Sequence, residues 1–354
     1  MKIAIIVPPW FKIPPAGYGG IEVVASLLAD GLVSKGHEVT VCTVAESTTK
    51  AHLFNYFDQE MKACLDKPAS SFLNTALSHT LASYLEVIGK GFDLIHDHTW
   101  KEGLCCAAFL KEVPVVHTLH GPFDEENKAF YRLFANHPGI HFISISNNQR
   151  SFLPGLNYLG TVYNGVKFDK YPFFPDKEDY FFYIGRFNQE KAPHLACEAA
   201  RRMGAKLVLA GKVHERDEVN YFEQFIRPYL DRKITYIGEL GHYSEEKMRL
   251  FSRGKGYLYP IQWEEPFGIT MVEAMACGTP VITFKKGSAP EVVEHGVTGF
   301  VVETMEEFVA AAGRAGSINP FKCRERVENL FTSQVMVDSY ERLYKEVIKK
   351  RPTS

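Results

Sequence analysis

The opening segment, Met1 to Val44, restricts the fold more than any other part of the chain. Residues 3–7 form a continuous apolar, mostly β-branched run, the pattern of a strand buried on both faces. A Pro- and Gly-rich loop follows (Pro14, Pro15, Gly17, Gly19, Gly20). Then Ile21, Val24, Ala25, Leu28 and Leu32 recur at helical spacing, closed by Gly36. Glu38–Val44 is the next strand. Strand, loop, helix and strand in that order build a parallel, doubly wound sheet. Asp93–Asp97, Val113–Thr118, His141–Ile145 and Gly160–Tyr163 extend the series, whereas residues 46–70 carry no such pattern and read as an inserted polar loop or lid.

A second series begins after the Pro-, Lys- and Asp-rich segment 167–179. Tyr180–Ile184, Lys206–Ala210, Ile234–Ile237, Gly256–Tyr259 and Pro280–Thr283 read as its strands, and Pro193–Met203 as a helix. A chain of 354 residues also exceeds what one core ordinarily holds. The expected α/β architecture is therefore two Rossmann-like, doubly wound domains, 1–166 and 180–334, facing each other across a cleft and joined by a hinge at 167–179. A final amphipathic helix within 335–354 has no strand after it.

Composition narrows the partners. A formal net charge of −2 gives no reason to expect nucleic acid, though a global count leaves room for a local basic patch at a membrane surface. Seven cysteines without a Cys-x-x-Cys pair point to a reduced compartment. The N-terminal apolar run is too short for a signal sequence and is broken by Pro8 and Pro9. No apolar run is long enough for a membrane span. The expected location is the cytoplasm, with peripheral contact at the inner face of the membrane left open.

The segment Glu265-Pro266-Phe267-Gly268-Ile269-Thr270-Met271-Val272-Glu273 carries the strongest chemical signal. Two carboxylates flank a Gly-containing turn that runs into a helix. Such a turn points unpaired backbone N–H groups and the positive end of a helix dipole at one spot, where a phosphate fits. Carboxylates only accept hydrogen bonds, and a ribose or hexose supplies the hydroxyl donors. The pattern suits a nucleotide-sugar. A glycoside-hydrolase acid–base pair is the competing reading.

Gly185-Arg186-Phe187, with Lys191 following, falls where a strand gives way to a helix. A guanidinium can chelate two phosphate oxygens and a lysine adds a mobile charge. Hydrolases do not need such a diphosphate clamp, so binding is the better account of the glutamates. Gly19 and Gly20 lie in the first strand-to-helix loop, without the Gly-x-Gly-x-x-Gly spacing of a nicotinamide site. His96 and His98 share one face of a strand end, and His117 and His120 fall near another. No cysteine or carboxylate completes a recognisable metal set among them. His96 and His98 are assigned either a structural role or contact with the acceptor.

These motifs, in this order, resemble the retaining glycosyltransferases of family 4, which have the GT-B fold. The markers are Gly19-Gly20-Ile21-Glu22, Gly36-His37-Glu38-Val39, Asp93-Leu94-Ile95-His96, His120-Gly121 and Asn164-Gly165-Val166. Gly185-Arg186 with Lys191, and the Glu265/Glu273 pair, complete them. The resemblance implies that the terminal helix crosses back to the N-terminal domain, which binds the acceptor, while the C-terminal domain binds the donor. It implies that Arg186 and Lys191 neutralise the leaving diphosphate and that Glu273 accepts from the ribose hydroxyls. Glu265 is implied to meet the transferred sugar, and His120 to stand beside its anomeric centre. Phe267, Gly268, Ile269 and Thr270 would offer backbone amides, and backbone around Gly238 would read the base.

The expected activity is transfer of a hexose from a nucleoside diphosphate sugar, a UDP-sugar by family frequency, to an acceptor hydroxyl on a lipid, glycan or small metabolite. No cofactor and no metal is expected to be obligatory. The alternatives are a sugar-nucleotide epimerase or phosphorylase of the same architecture, and an inactive nucleotide-sugar-binding module.

Overall fold

A computed structural model describes residues 1–350 apart from Tyr18 and Asp66, so the end of the expected terminal segment, 351–354, lies outside the described residues. The chain divides into two compact units. One comprises Met1–Gly165 with the segment that starts at Ser333, and the other is Val166–Thr332.

The first unit is built on β1 (Lys2–Ile6), β2 (Glu38–Thr43), β3 (His52–Asn55), β4 (Leu94–Asp97), β5 (Val115–Leu119), β6 (Ile140–Ser144) and β7 (Tyr158–Thr161). They form one sheet in the order β3-β2-β1-β4-β5-β6-β7, and every adjacent pair is parallel. Ile3, Ala4, Ile5 and Ile6 are fully buried, as a strand covered on both faces requires. The strand order reverses between β1 and β4, so the loops leaving those two strands open a crevice at the sheet's carboxyl edge.

Residues 46–70 are not wholly irregular. Within them β3 pairs with β2 from Thr40↔His52 to Thr43↔Asn55. This edge strand is short and largely exposed, so it has no apolar run to announce it. The helix Ala69–Val87 that follows is unusual in polarity. It buries Thr75, His79, Thr80 and Ser83, while Leu73, Leu77, Leu81 and Leu85 face outward. A helix that turns hydroxyls and an imidazole inward gives the wrong sequence signature for a core-facing element.

The second unit repeats the plan with β8 (Glu178–Ile184), β9 (Leu207–Ala210), β10 (Ile234–Tyr236), β11 (Gly254–Tyr259), β12 (Val281–Phe284) and β13 (Gly299–Val302). Their order is β10-β9-β8-β11-β12-β13, all parallel, with the reversal between β8 and β11. β13 lies beyond the strands expected from the sequence. The segment 167–179, read as a hinge, packs onto this unit. Lys177 Nζ donates to the Ser252 and Cys277 carbonyls at 2.8 and 3.0 Å and to Thr279 Oγ1 at 3.0 Å.

The terminal helix Ser333–Lys349 belongs to the first unit. It lies so close to the helix Gly20–Ser34 that a Cβ on Gly31 would stand 2.5 Å from Val337 Cγ2. Glu341 receives His37 Nε2 at 3.0 Å and Lys35 at 2.8 Å, and Tyr340 and Tyr344 are fully buried.

Burial in this unit has a pH signature. His79 is pushed down to about 4 and His117 to about 3 by burial, and His120 to about 3 by burial with His117 nearby. Burial, reinforced by neighbouring imidazoles, holds His96 and His98 well below the usual range. A histidine with a depressed folded pKa contributes stability above its unfolded pKa, about 6.5, and loses it as pH falls toward the folded value. Glu22, raised to about 8 by burial, and Asp97, also raised by burial, act in the opposite sense. Burial also lowers His141 and raises Glu102, so six groups outweigh three and stability should fall steeply below about pH 6.5. His117→Leu should flatten that limb by about 1.4 kcal/mol per pH unit, the contribution of one proton. Urea titrations between pH 7 and 5 check this, and an unchanged slope would show that His117 is not buried neutral.

Candidate functional site

Each unit places its marked residues at the carboxyl edge where its strand order reverses. In the second unit Gly185, Arg186 and Lys191 follow β8, and Glu265 lies in the loop after β11. That loop ends at Gly268, which caps the helix Ile269–Ala276 with φ at 73°. The left-handed conformation favours glycine there, and a Cβ would also meet Met271 Cε at 2.5 Å. The amides of Ile269 and Thr270, in the helix's first turn, have no intrahelical acceptor. The Thr270 hydroxyl is turned to the Tyr257 hydroxyl at 2.9 Å. Phe267 is buried, with its ring edge-on to Phe331.

Lys191 and Glu265 form one group. The Lys191 ammonium contacts Glu265 Oε2 directly and reaches the Tyr259 hydroxyl at 2.9 Å. The Tyr259 hydroxyl and Trp263 Nε1 donate to the same Oε2 at 2.7 and 3.0 Å. The ammonium also lies over the Trp263 ring, 5.0 Å from its centroid. Burial works to raise the Glu265 pKa, but the Lys191 charge and these donors hold it below the ordinary carboxylate range. Three donors converge on Oε2. Oε1 takes no hydrogen bond among the described residues, yet it is not sealed from solvent.

Glu273, one turn into the helix and 2% exposed, repeats this arrangement. Tyr171 OH and Lys247 Nζ donate to its Oε1 at 2.7 and 3.0 Å, leaving Oε2 unbonded among the described residues. Each of these two buried carboxylates is thus bonded through one oxygen, with the other left unbonded among the described residues.

Arg186 is engaged differently from the open clamp read in the sequence. Its Nε donates to Glu218 Oε1 at 3.1 Å, and an Nη lies 3.4 Å from Glu215 Oε2. Lys212 pairs with Glu215 in turn. Gly238 follows β10 and accepts from the Gly211 amide at 2.9 Å, with open space where a Cβ would project. Tyr171, Lys247, Tyr259, Trp263, Glu215 and Glu218 escaped the sequence reading. Only Trp263, beside Glu264-Glu265, carried a local signal, since Tyr171 and Lys247 stand 102 and 26 residues from Glu273.

In the first unit Gly19 and Gly20 open the helix Gly20–Ser34 after the β1 loop. His96 lies in β4, His98 immediately follows it, and His120 follows β5. These three imidazoles form a line, with His120 Nε2 to His98 Nδ1 at 2.8 Å and His98 Nε2 to His96 Nδ1 at 3.2 Å. His96 and His98 are fully buried, so neither is presented to an acceptor, whereas His120 is half-buried. His117 points elsewhere, against Tyr131 and Phe142, 3.9 Å from the Asp97 carboxylate. Among the described residues no group of three or more His, Cys, Asp or Glu is arranged to hold a metal ion. All seven cysteines are free, and among the described residues no helix is long and apolar enough to cross a membrane.

Lys191 pairs with a buried carboxylate, so its removal should reach the fold as well as the chemistry. Lys191→Ala should cost about 3 kcal/mol, near the low end for stripping a buried charge of its partner because Lys191 keeps some exposure. Adding Glu265→Gln should return more than half of the loss, a coupling that a double-mutant cycle in urea measures. Additive losses would show that the pair is not energetically coupled.

A Glycosyltransferase Family 4 model matches residues 18–169, and a model of the glycosyl transferases group 1 matches 167–319. An uncharacterised glycosyltransferase of Methanocaldococcus jannaschii is 25% identical, over 98% of this chain and 97% of its own. The structure of sucrose-phosphate synthase from Thermosynechococcus elongatus superposes with a TM-score of 0.82 at 19% identity, covering 98% of this chain and 99% of the other. Anabaena HepE in complex with UDP-glucose gives 0.72 at 18% identity, covering 98% and 100%. Such distant structural likeness shows the fold, which is GT-B. With both units matched in sequence, the chain belongs to the glycosyltransferases of the group 1 and family 4 type.

Proposed function

We propose that this protein is a retaining hexosyltransferase that takes its sugar from a UDP-sugar and needs no obligatory metal. The observation that carries the reading is the pair of buried carboxylates, Glu265 and Glu273. Each is hydrogen-bonded through one oxygen and paired with a lysine, at the N-terminal end of one helix, and Arg186 and Lys191 follow the neighbouring strand β8. A diphosphate needs the cations and amides, and a ribose and a hexose need acceptors on either side. The choice of UDP is supported by family frequency and by the UDP-glucose complex of HepE.

The reaction breaks the bond between the anomeric carbon and the β-phosphate oxygen. It forms the new glycosidic bond on the same face, and the acceptor hydroxyl proton passes to the leaving phosphate oxygen. No enzymic nucleophile is required by that route. Arg186 and Lys191 oppose the charge that builds on the diphosphate, an electrostatic contribution of about two to three orders of magnitude in rate per preorganised group. Because Arg186 is shared with Glu215 and Glu218, the diphosphate competes with carboxylates for its guanidinium. Following the resemblance, His120 stands beside the anomeric carbon of the donor.

The two glutamates separate this reading from a hydrolase or an inactive binding module. Glu273→Gln should weaken UDP and UDP-glucose together by about 1–3 kcal/mol, the value of a charge-assisted hydrogen bond. Glu265→Gln should spare UDP while lowering affinity for the sugar nucleotide, turnover, or both. Calorimetry with the two ligands decides this, and Glu265→Gln weakening both ligands while Glu273→Gln weakens neither would reverse the roles. Transfer should also survive dialysis against a strong chelator, because cations of the chain stand where a metal serves in other transferases. Activity lost to chelator and restored by manganese would overturn metal independence.

A further inference from the structure

The imidazole line of the first unit runs on into the terminal helix. Among the described residues the Tyr344 hydroxyl has one hydrogen-bonding neighbour, His96 Nδ1 at 2.5 Å. A buried hydroxyl hydrogen goes to its acceptor. Tyr344 therefore donates, and His96 Nδ1 carries a lone pair. The His96 proton then sits on Nε2, which faces Thr118 Oγ1 at 2.7 Å. His98 Nε2 is turned toward the same His96 Nδ1. Two facing lone pairs would repel, so His98 Nε2 holds its proton and His98 Nδ1 becomes an acceptor. Its partner is His120 Nε2, which must donate.

We propose that Tyr344 is a positioning residue that sets the tautomer of His120 through His96 and His98, fixing the proton on His120 Nε2 and a lone pair on Nδ1. Burial keeps all three imidazoles neutral near pH 7, so each has a single proton to place. The consequence is chemical. His120 Nδ1 can accept a hydrogen bond from a substrate hydroxyl but cannot donate one. A donor sugar bearing a hydroxyl at that point is favoured over one bearing only an acceptor there. The effect on transfer rests on His120 standing in the donor site, whereas the tautomer does not.

The test uses the full chain with its histidines labelled with nitrogen-15, and long-range proton–nitrogen spectra at pH 7, with His120 assigned through His120→Gln. Wild-type His120 should be protonated on Nε2 alone. Tyr344→Phe should mix the two tautomers, because His96 Nδ1 loses the donor that orients the line. Tyr340→Phe is the control. Its hydroxyl comes from the same helix and meets Thr118 at 3.2 Å, but touches no imidazole nitrogen, so the His120 signal should not change. A wild-type proton on Nδ1, or a single Nε2 tautomer retained in Tyr344→Phe, overturns the proposal. The wild-type spectrum decides even if the variant does not fold. Tyr344→Phe should also lower kcat by about 3- to 10-fold, the range of one neutral hydrogen bond, with the KM for UDP-glucose little changed. Full turnover by His120→Ala would sink the donor-site reading of His120 while leaving the tautomer result standing.

Discussion

A parallel sheet covered on both faces leaves only one place for chemistry. Its strands are buried along their length, so charged groups can be held only where the chain leaves the sheet. In both units the residues that matter collect at the carboxyl edge, beside the pair of strands at which the winding reverses: β1 and β4 in one, β8 and β11 in the other. Everything else about the site follows from making that edge polar without leaving a buried charge unpaired.

The second unit meets this condition with few residues. Glu265 and Glu273 are 6% and 2% exposed, and enclosing a carboxylate without a partner is costly. Lys191 and Lys247 supply the partners, each assisted by a tyrosine hydroxyl. A buried ion pair contributes little net stability, because desolvation offsets most of the attraction. These pairs are better understood as a means of holding two acceptor groups in place inside a mostly apolar wall. The aromatic rings of Tyr259 and Trp263 serve the same end, since they donate through OH and N–H while excluding water from the ammonium.

Elements with a clear period were legible in the sequence. β1, the helix Gly20–Ser34, the helix Pro193–Met203 and the terminal helix all fall where apolar spacing places them. The edge strand β3 and the helix Ala69–Val87 were not legible, because the first is largely exposed and the second turns its polar face inward. At the site, residue types and spacing picked out Arg186, Lys191, Glu265 and Glu273, but not how they are partnered. Nothing in the sequence links Tyr171 to Glu273, or Glu218 to Arg186. Those contacts come from chain crossings that only the folded sheet defines. The histidines show the same limit. Strand alternation puts His96 and His98 on one face, but their burial depends on a helix that begins more than two hundred residues later.

That return of the chain ties the first unit's interior to a segment that follows the second unit in sequence. Residues 1–165 hold the whole seven-stranded sheet, yet the helix Gly20–Ser34 presents Gly31 to Val337, and His96 presents its Nδ1 to Tyr344. Without the terminal helix these groups would face water. The imidazole line would lose the hydroxyl that orients it, and the sheet would lose the burial supplied by Tyr340, Leu343 and Tyr344. The unit can therefore form its strands early, but it cannot settle the buried polar groups behind His120 until the second unit has been synthesised and the chain has come back. Because such polar groups are costly when half satisfied, the final packing of the histidine line and the docking of the helix are expected to be a single cooperative step.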